Sequence, residues 1–527
     1  MARFAFVKVF AGLNFGVSQL SGELQRAGHE SLTIFFKEYR LVPEKDWGRY
    51  RQSKMAGVFI GGRAKRYDFN CYTPFTDCEY ELLVHTLQEF KPDVIGFSLC
   101  SLPFDEVAEV TTRVRPHFPG VPIIWGGAGP TIEPERSLEY ADMVCVGDGE
   151  ELVVEIADAI DKGRDYSDTP NLWLRLPDGS IRKNPNAPLV DMDSIAFPDY
   201  DESRLVIISD DRIRRNVFPP NYGQQYQIIT TRGCPYSCSF CIESWTQDKY
   251  GKAGSLRRRS VDLVIEELVE AKRKYDIKAV LFFDAVFTTH PAWLKEFAQK
   301  YKEKVGIPFW CWTYPRSTRK RDLEYLRDAG LTAVTMGIQS GSETILEAYD
   351  RPIPTALATE AAKVVGEVGV QGYFELITRS EYDTEKTMWE TFEFLLDFPS
   401  HMQTFGFYPM IKFPTYGYTE KVAVEQREIT LTDEQYYFFH KIFLLARTTL
   451  PRRVKAFLAK SRLIRRFPSL LDPLLPAQLP VFQLNDGALG EMQRREGYEP
   501  KPLQLRALRL RPAAKQPALL TQPATAQ

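Results

Sequence analysis

Cys234, Cys238 and Cys241 stand at the spacing C-x3-C-x2-C inside the stretch TTRGCPYSCSFCIES, residues 230–244. Thiolates are soft ligands, and three of them folding back on one point can hold three irons of a cubane 4Fe-4S cluster. The fourth iron then lacks a protein ligand and is open to a substrate or cofactor. Zinc fits less well: structural zinc takes four ligands and open zinc sites are usually built with histidine, whereas residues 230–244 contain none. The bland alternative is a loop that happens to carry thiols. The residues just ahead, YQIITT at 226–231, are rich in β-branched types and predict a strand. Arg232-Gly233 breaks that strand, so the cysteines fall on a loop at its C-terminal end.

This stretch resembles the cluster loop of the radical S-adenosylmethionine (SAM) enzymes, whose signature is C-x3-C-x-aromatic-C; here Phe240 fills the aromatic position. The resemblance implies a 4Fe-4S cluster on the three cysteines, with SAM chelated by the open iron through its amino and carboxylate groups and contacted at Phe240. It also implies cleavage of SAM by the reduced cluster to a 5′-deoxyadenosyl radical, with an external electron donor such as flavodoxin or ferredoxin.

The elements that must position this loop form a long chain. At 527 residues it is too large for one core and predicts two or three domains. Its formal net charge of −2 sets up no field favouring nucleic acid or an anionic membrane. Eight cysteines are too few for a disulfide scaffold, and clustering of three as ligands favours the reducing cytoplasm. The N-terminal MARFAFVKVF enters a strand pattern without the apolar core of a signal peptide. No run of about 18 apolar residues exists, so no transmembrane segment is expected.

Residues 3–9 predict a strand, 16–27 a helix with Val17, Leu20 and Leu24 on one face, and 31–36 a second strand. Residues 37–78 read as an irregular insertion whose Cys71 and Cys78 are packing thiols. From residue 79 helices alternate with strands at 93–98, 121–125 and 141–146, which implies a parallel sheet covered on both faces. Ligands of such sheets sit at the C-terminal strand ends, and three ends here are small or glycine-rich: Ser98-Leu-Cys-Ser101, Gly126-Gly127 and Gly147-Asp-Gly149. Glycine there lets backbone approach a bulky ligand.

The segments KPDVIGFS, VPIIWGGAGPT and ADMVCVGDGEE resemble the cobalamin-binding domain upstream of one radical SAM branch. The resemblance implies a Rossmann-like, flavodoxin-type domain over 1–165 with cobalamin contacts at Ser98, Gly126, Gly127 and Gly147. Asp148 replaces the first Glu of the common Gly-Glu-Gly-Glu turn. None of the six histidines follows an Asp by two residues, so the Asp-x-His-x-x-Gly element that ligates cobalt from below in the wider group is missing. Residues 166–222 read as a linker with a hairpin.

After the cluster loop, β/α units recur. With the strand before the cysteines they total six, which suits a partial (β/α)6 TIM-type barrel over 223–430 with its chemistry at the C-terminal strand ends. Asp284, Arg316 and the Gln339-Ser340 turn follow strands and should gather on the cluster face; the resemblance makes Asp284, Gln339 and Ser340 SAM contacts. Relatives usually carry a Gly-x-Pro-Gly-Glu turn where this chain has Thr378-Arg-Ser-Glu-Tyr382, so Arg379 and Glu381 become candidate substrate contacts. An amphipathic helix is expected over 431–444, then basic segments in a helical region running to 511, and a proline- and alanine-rich disordered tail over 512–527. The whole is α/β. The resemblance implies a C-methyltransferase acting on an unactivated carbon of a small-molecule intermediate. An oxidative cyclase or rearrangement enzyme, and a non-catalytic binding protein, are the alternatives.

Overall fold

The computed structural model describes residues 1–11, 15–38, 40–42, 51–52, 69–100, 103–215, 225–275, 277–351, 353–399 and 403–475. Strands β1 (Arg3–Ala11) and β2 (Glu30–Glu38) are apolar runs, and β2 is buried at every residue but its two ends. Burial on both faces is the mark of an interior parallel strand. Three short strands follow, β3 (Arg40–Val42), β4 (Arg51–Gln52) and β5 (Phe69–Tyr72), paired antiparallel in a small sheet of their own. The alternating part then supplies β6 (Val94–Ser98), β7 (Ile123–Gly126) and β8 (Met143–Cys145).

Next come β9 (Leu172–Arg175), β10 (Ile181–Lys183), β11 (Leu205–Ser209) and β12 (Arg212–Arg215). Together these make a sheet of nine strands in the order β10-β9-β8-β7-β6-β1-β2-β11-β12. The run β8-β7-β6-β1-β2 is parallel, which is the flavodoxin-type winding with its switch point between β1 and β6. Of residues 166–222, expected as a linker with a hairpin, the described ones supply β9 to β12 and extend both edges of this sheet. The β9–β10 hairpin is present, but it pairs with β8, and β11 adds to β2 in parallel. Apolar runs such as Leu205–Ser209, buried throughout, complete a sheet edge rather than cross between domains. Cys78, expected to pack, is exposed at the start of the helix Asp77–Phe90.

The second sheet begins at β13 (Gln225–Ile228). A separate two-stranded ladder of β14 (Thr231–Arg232) and β15 (Arg257–Arg258) flanks the cysteine loop. Arg232 therefore sits inside a short ladder and does not end the first strand, which stops at Ile228. Then follow β16 (Ala279–Phe282), β17 (Phe309–Thr313), β18 (Leu331–Gln339), β19 (Gln371–Thr378) and β20 (Gln403–Pro409). The order β13-β16-β17-β18-β19-β20 is fully parallel, an open barrel of six strands. Tyr226, Val280, Phe282 and Phe309 pack outward against helices in the largest core, so the alternate residues face the barrel interior. The helix Asp433–Ala446, opened by a capping box at Thr432, is buried on nearly all sides and not on one face alone. The expected tail, and the helical region beyond residue 475, lie outside the described residues. No described helix is long and apolar enough to cross a membrane.

Candidate functional site

The cysteine loop is held from several directions. The Gln247 side-chain amide donates to the carbonyls of Cys234 and Tyr236, and accepts from Ser237 Oγ at 2.7 Å. Ser244 Oγ donates to Cys238 O at 2.6 Å. Ser239 N donates to Tyr349 O, and Tyr418 N to Ser239 O, both at 3.0 Å. Gly233 has φ of 88°, and a Cβ there would stand 2.2 Å from Ser255 O, so only glycine lets the loop leave β14 beside β15. Cys238 is buried, while Cys234 and Cys241 are half-buried. Burial pushes the Cys234 thiol up to about 11 and the Cys241 thiol up to about 12, so ligation must release protons.

Among the described residues no three donors converge on the point a single metal ion needs. Each thiolate of a cubane binds a different iron, so its sulfurs stand further apart than the ligands of one ion. A donor set of three sulfurs without histidine or carboxylate fits a cluster. Arg351, buried on the turn after the helix Glu343–Ala348, donates from Nη1 to Cys238 Sγ at 3.3 Å and from Nη2 to Gly337 O at 2.6 Å. Its guanidinium lies 4.2 Å from the Tyr314 ring centroid, and Tyr314 stacks on Tyr236 at 3.6 Å. This cation beside the thiols is separated from them by more than a hundred residues, and no spacing in the sequence points to it.

The expected SAM residues are distributed around this loop with distinct local tasks. Asp284 is buried and accepts from Thr230 Oγ1 at 2.7 Å, so it ties the end of β16 to the strand leading into the loop. Gln339 adopts a φ of 70° and its amide lies over Gly337, where a Cβ would come within 2.2 Å of Nε2. Ser340 is buried, with its hydroxyl 3.2 Å from Thr391 Oγ1 and accepting from Ser342 N at 3.1 Å. The Phe240 ring meets Tyr349 edge-on at 5.3 Å. Arg316 is exposed. Arg379 turns to the C-terminal helix, Nη1 2.8 Å from Asp433 Oδ1, and Glu381 is engaged by Lys412 and Tyr418, each at 2.7 Å. Both side chains are thus engaged by other residues of the chain.

Ser98, Gly126, Gly127 and Gly147 do come together, in a cavity of about 470 Å³ between the two sheets. Its other wall is Ile228, Ile229, Arg232 and Arg259 of the barrel. Added Cβ atoms at Gly16 and Gly126 would meet only Ser98 Oγ at 3.9 Å and Cys145 Cβ at 3.5 Å. The floor is thus bare where a flat macrocycle would lie. Gly127 has a second reason to be glycine: at φ of 100° its Cβ would stand 2.6 Å from Leu99 O. No described histidine lines the cavity, in keeping with the missing Asp-x-His element. The residues present fit cobalamin held without a protein nitrogen beneath it.

Residues 228–395 match the Radical SAM superfamily and residues 59–157 the B12 binding domain. The chain thus carries a domain of the Radical SAM superfamily and a B12 binding domain. Domains of these two kinds hold a 4Fe-4S cluster with SAM, and cobalamin. The chain is 26% identical over 323 residues to an uncharacterized methyltransferase of Pyrococcus horikoshii, covering 60% of this chain and 67% of that protein. It is 24% identical over 333 residues to the anaerobic magnesium-protoporphyrin IX monomethyl ester cyclase of Rubrivivax gelatinosus, covering 60% and 56%. Across the curated relatives it matches, the chain spans from 48% to 70% of their length. In fold it is similar to the radical SAM methyltransferase TsrM of Kitasatospora setae with cobalamin and a [4Fe-4S] cluster bound, at a TM-score of 0.59 and 18% identity over 81% of this chain and 75% of that one.

Proposed function

We propose that the protein is a cobalamin-dependent C-methyltransferase acting on an unactivated carbon of a small molecule. The observation that carries this reading is the cavity whose floor is the glycine ends of the first sheet and whose far wall runs from Ile228 to Arg232, two residues before Cys234. Bound there, the cluster with SAM supplies a hydrogen-abstracting adenosyl radical and cobalamin carries a transferable methyl group. The chain's own contribution is enclosure and position. Apolar Ile228, Ile229 and Phe15 limit water at the junction, which protects a radical from quenching. Gly16 and Gly126 leave the floor flat, and Arg351 offers positive charge beside Cys238.

A second reading, oxidative cyclisation with no methyl transfer, is favoured by the likeness to a relative named as a cyclase. Incubation with SAM deuterated at the methyl group separates the two: a product carrying the labelled methyl supports transfer, and an unlabelled product supports cyclisation. The reducing electron comes from an external donor of the flavodoxin or ferredoxin kind. A cytoplasmic location agrees with the free thiols exposed at Cys78 and Cys100.

A further inference from the structure

The interior of the barrel carries a second constellation. Phe15 of the first domain lies 5.1 Å from Phe283, Phe283 4.5 Å from Trp312, and Trp312 5.2 Å from Trp310. These rings form a continuous wall from the cavity, which Phe15 lines, into the barrel. In register, Trp312 pairs with Thr335, Thr335 with Tyr373, and Gly337 with Glu375, so Glu375 shares the inward face one step nearer the C-terminal strand ends.

Glu375 is the only charged residue in the six barrel strands. Glu375 is partly accessible, and desolvation pushes its carboxyl up to about 7 despite the hydrogen bond from the Tyr408 hydroxyl. Phe15, Phe283, Trp312 and Tyr408 are likewise partly accessible, so these side chains border an open recess within the barrel. A separate observation points to an occupant: Trp310 Nε1, Thr335 Oγ1 and Gln227 Oε1 are buried with no hydrogen-bond partner among the described residues. Buried polar atoms are rarely left so.

We propose that this recess is the substrate subsite and takes a flat, largely apolar ring system bearing a basic nitrogen, the rings stacking along Phe283 and Trp312 and the nitrogen donating to Glu375. Aromatic walls favour a ring by offset stacking and a cation by its charge. A carboxylate substrate would find no cation in the strands to pair with, whereas a basic nitrogen draws Glu375 into its ionised form. The proposal rests on the methyltransferase reading only for directing the substrate's reacting carbon toward the cavity.

The test uses the holoenzyme and three probes sharing one ring: 1-naphthylmethylammonium, 1-naphthalenemethanol and 1-naphthoate, titrated by calorimetry. The ammonium should bind about tenfold or more tightly than the alcohol, as a charge-assisted hydrogen bond provides, and the naphthoate most weakly. Glu375→Gln should bring the ammonium to the level of the alcohol, and Trp312→Leu should weaken ammonium and alcohol alike. A wild-type preference for naphthoate would overturn the proposal without any variant, as would an ammonium preference surviving in Glu375→Gln. Because no methyl transfer is read, a failed ranking alongside a labelled methylated product removes this subsite and leaves the function standing.

Discussion

Arg232 and Asp148 meet across the two domains, Nη1 3.1 Å from Oδ1. The first belongs to the ladder that opens the cysteine loop, the second to the glycine turn ending β8. Arg257 reaches the other Asp148 oxygen at 2.7 Å and also donates to Val190 O at 2.7 Å, while Arg232 pairs with Glu150. Burial works against the Asp148 carboxylate, but the two guanidinium groups hold it below the usual carboxylate range. The pair ties the glycine turn of the first sheet to the ladder that leads into the cysteine loop.

Replacing Asp148 by Asn should therefore act on coupling as well as stability. Leaving two partly buried guanidinium groups without their carboxylate should cost about 2–3 kcal/mol in urea unfolding. Product formed per 5′-deoxyadenosine released should fall, since SAM cleavage needs the barrel alone. Asp148→Glu should retain most of both. An unchanged ratio in Asp148→Asn would show that the domains are positioned by other contacts.

Arg351 carries a second prediction. Arg351→Met should leave iron content intact, because the three thiols remain, but should lower the cluster's reduction potential, because a positive charge beside Cys238 favours the added electron. A shift of about 60 mV corresponds to ~1.4 kcal/mol for one electron. Potentiometric titration followed by electron paramagnetic resonance reads it, and a potential that rose or stayed fixed would remove Arg351 from the cluster's electrostatics.

Much of this arrangement was legible in the chain. The parallel strands, the cysteine loop and the gathering of Ser98, Gly126, Gly127 and Gly147 follow from apolar periodicity and from glycine at strand ends. Arg351 and Glu375 were not legible, because their roles come from contacts between distant segments: Arg351 looks like a helix-end cation and Glu375 like one polar residue in a strand. The edge strands in 166–222 were missed because a short β-branched run does not say which sheet it joins. The Arg379–Asp433 pair was not legible because Asp433 lies on a helix 54 residues further along the chain.

A third prediction concerns that residue. Asp433 is 78% exposed, so the pair is worth little. Arg379→Ala should change stability by under ~1 kcal/mol and leave substrate turnover within about twofold. A turnover loss of tenfold or more would return Arg379 to the substrate site.

Glu375 gives a pH dependence whose sign is fixed. Its folded carboxyl, at about 7, holds its proton more tightly than the unfolded chain does, at 4.5. Its contribution is present below 4.5 and is lost as pH rises toward about 7. Relative to Glu375→Gln, the wild type should thus lose roughly 1–3 kcal/mol between about pH 5 and about pH 8. Urea midpoints of the two proteins at both pH values test this, and a wild type gaining on the variant over that window would contradict it.

The central claim is that both cofactors open on one cavity. It is tested most directly by the electron paramagnetic resonance spectrum of the reduced cluster in protein loaded with cob(II)alamin, compared with protein carrying the cluster alone. The account predicts broadening and faster relaxation of the cluster signal when cob(II)alamin is bound, from dipolar coupling across the cavity. A cluster signal with unchanged line shape and relaxation in fully cobalamin-loaded protein would contradict it.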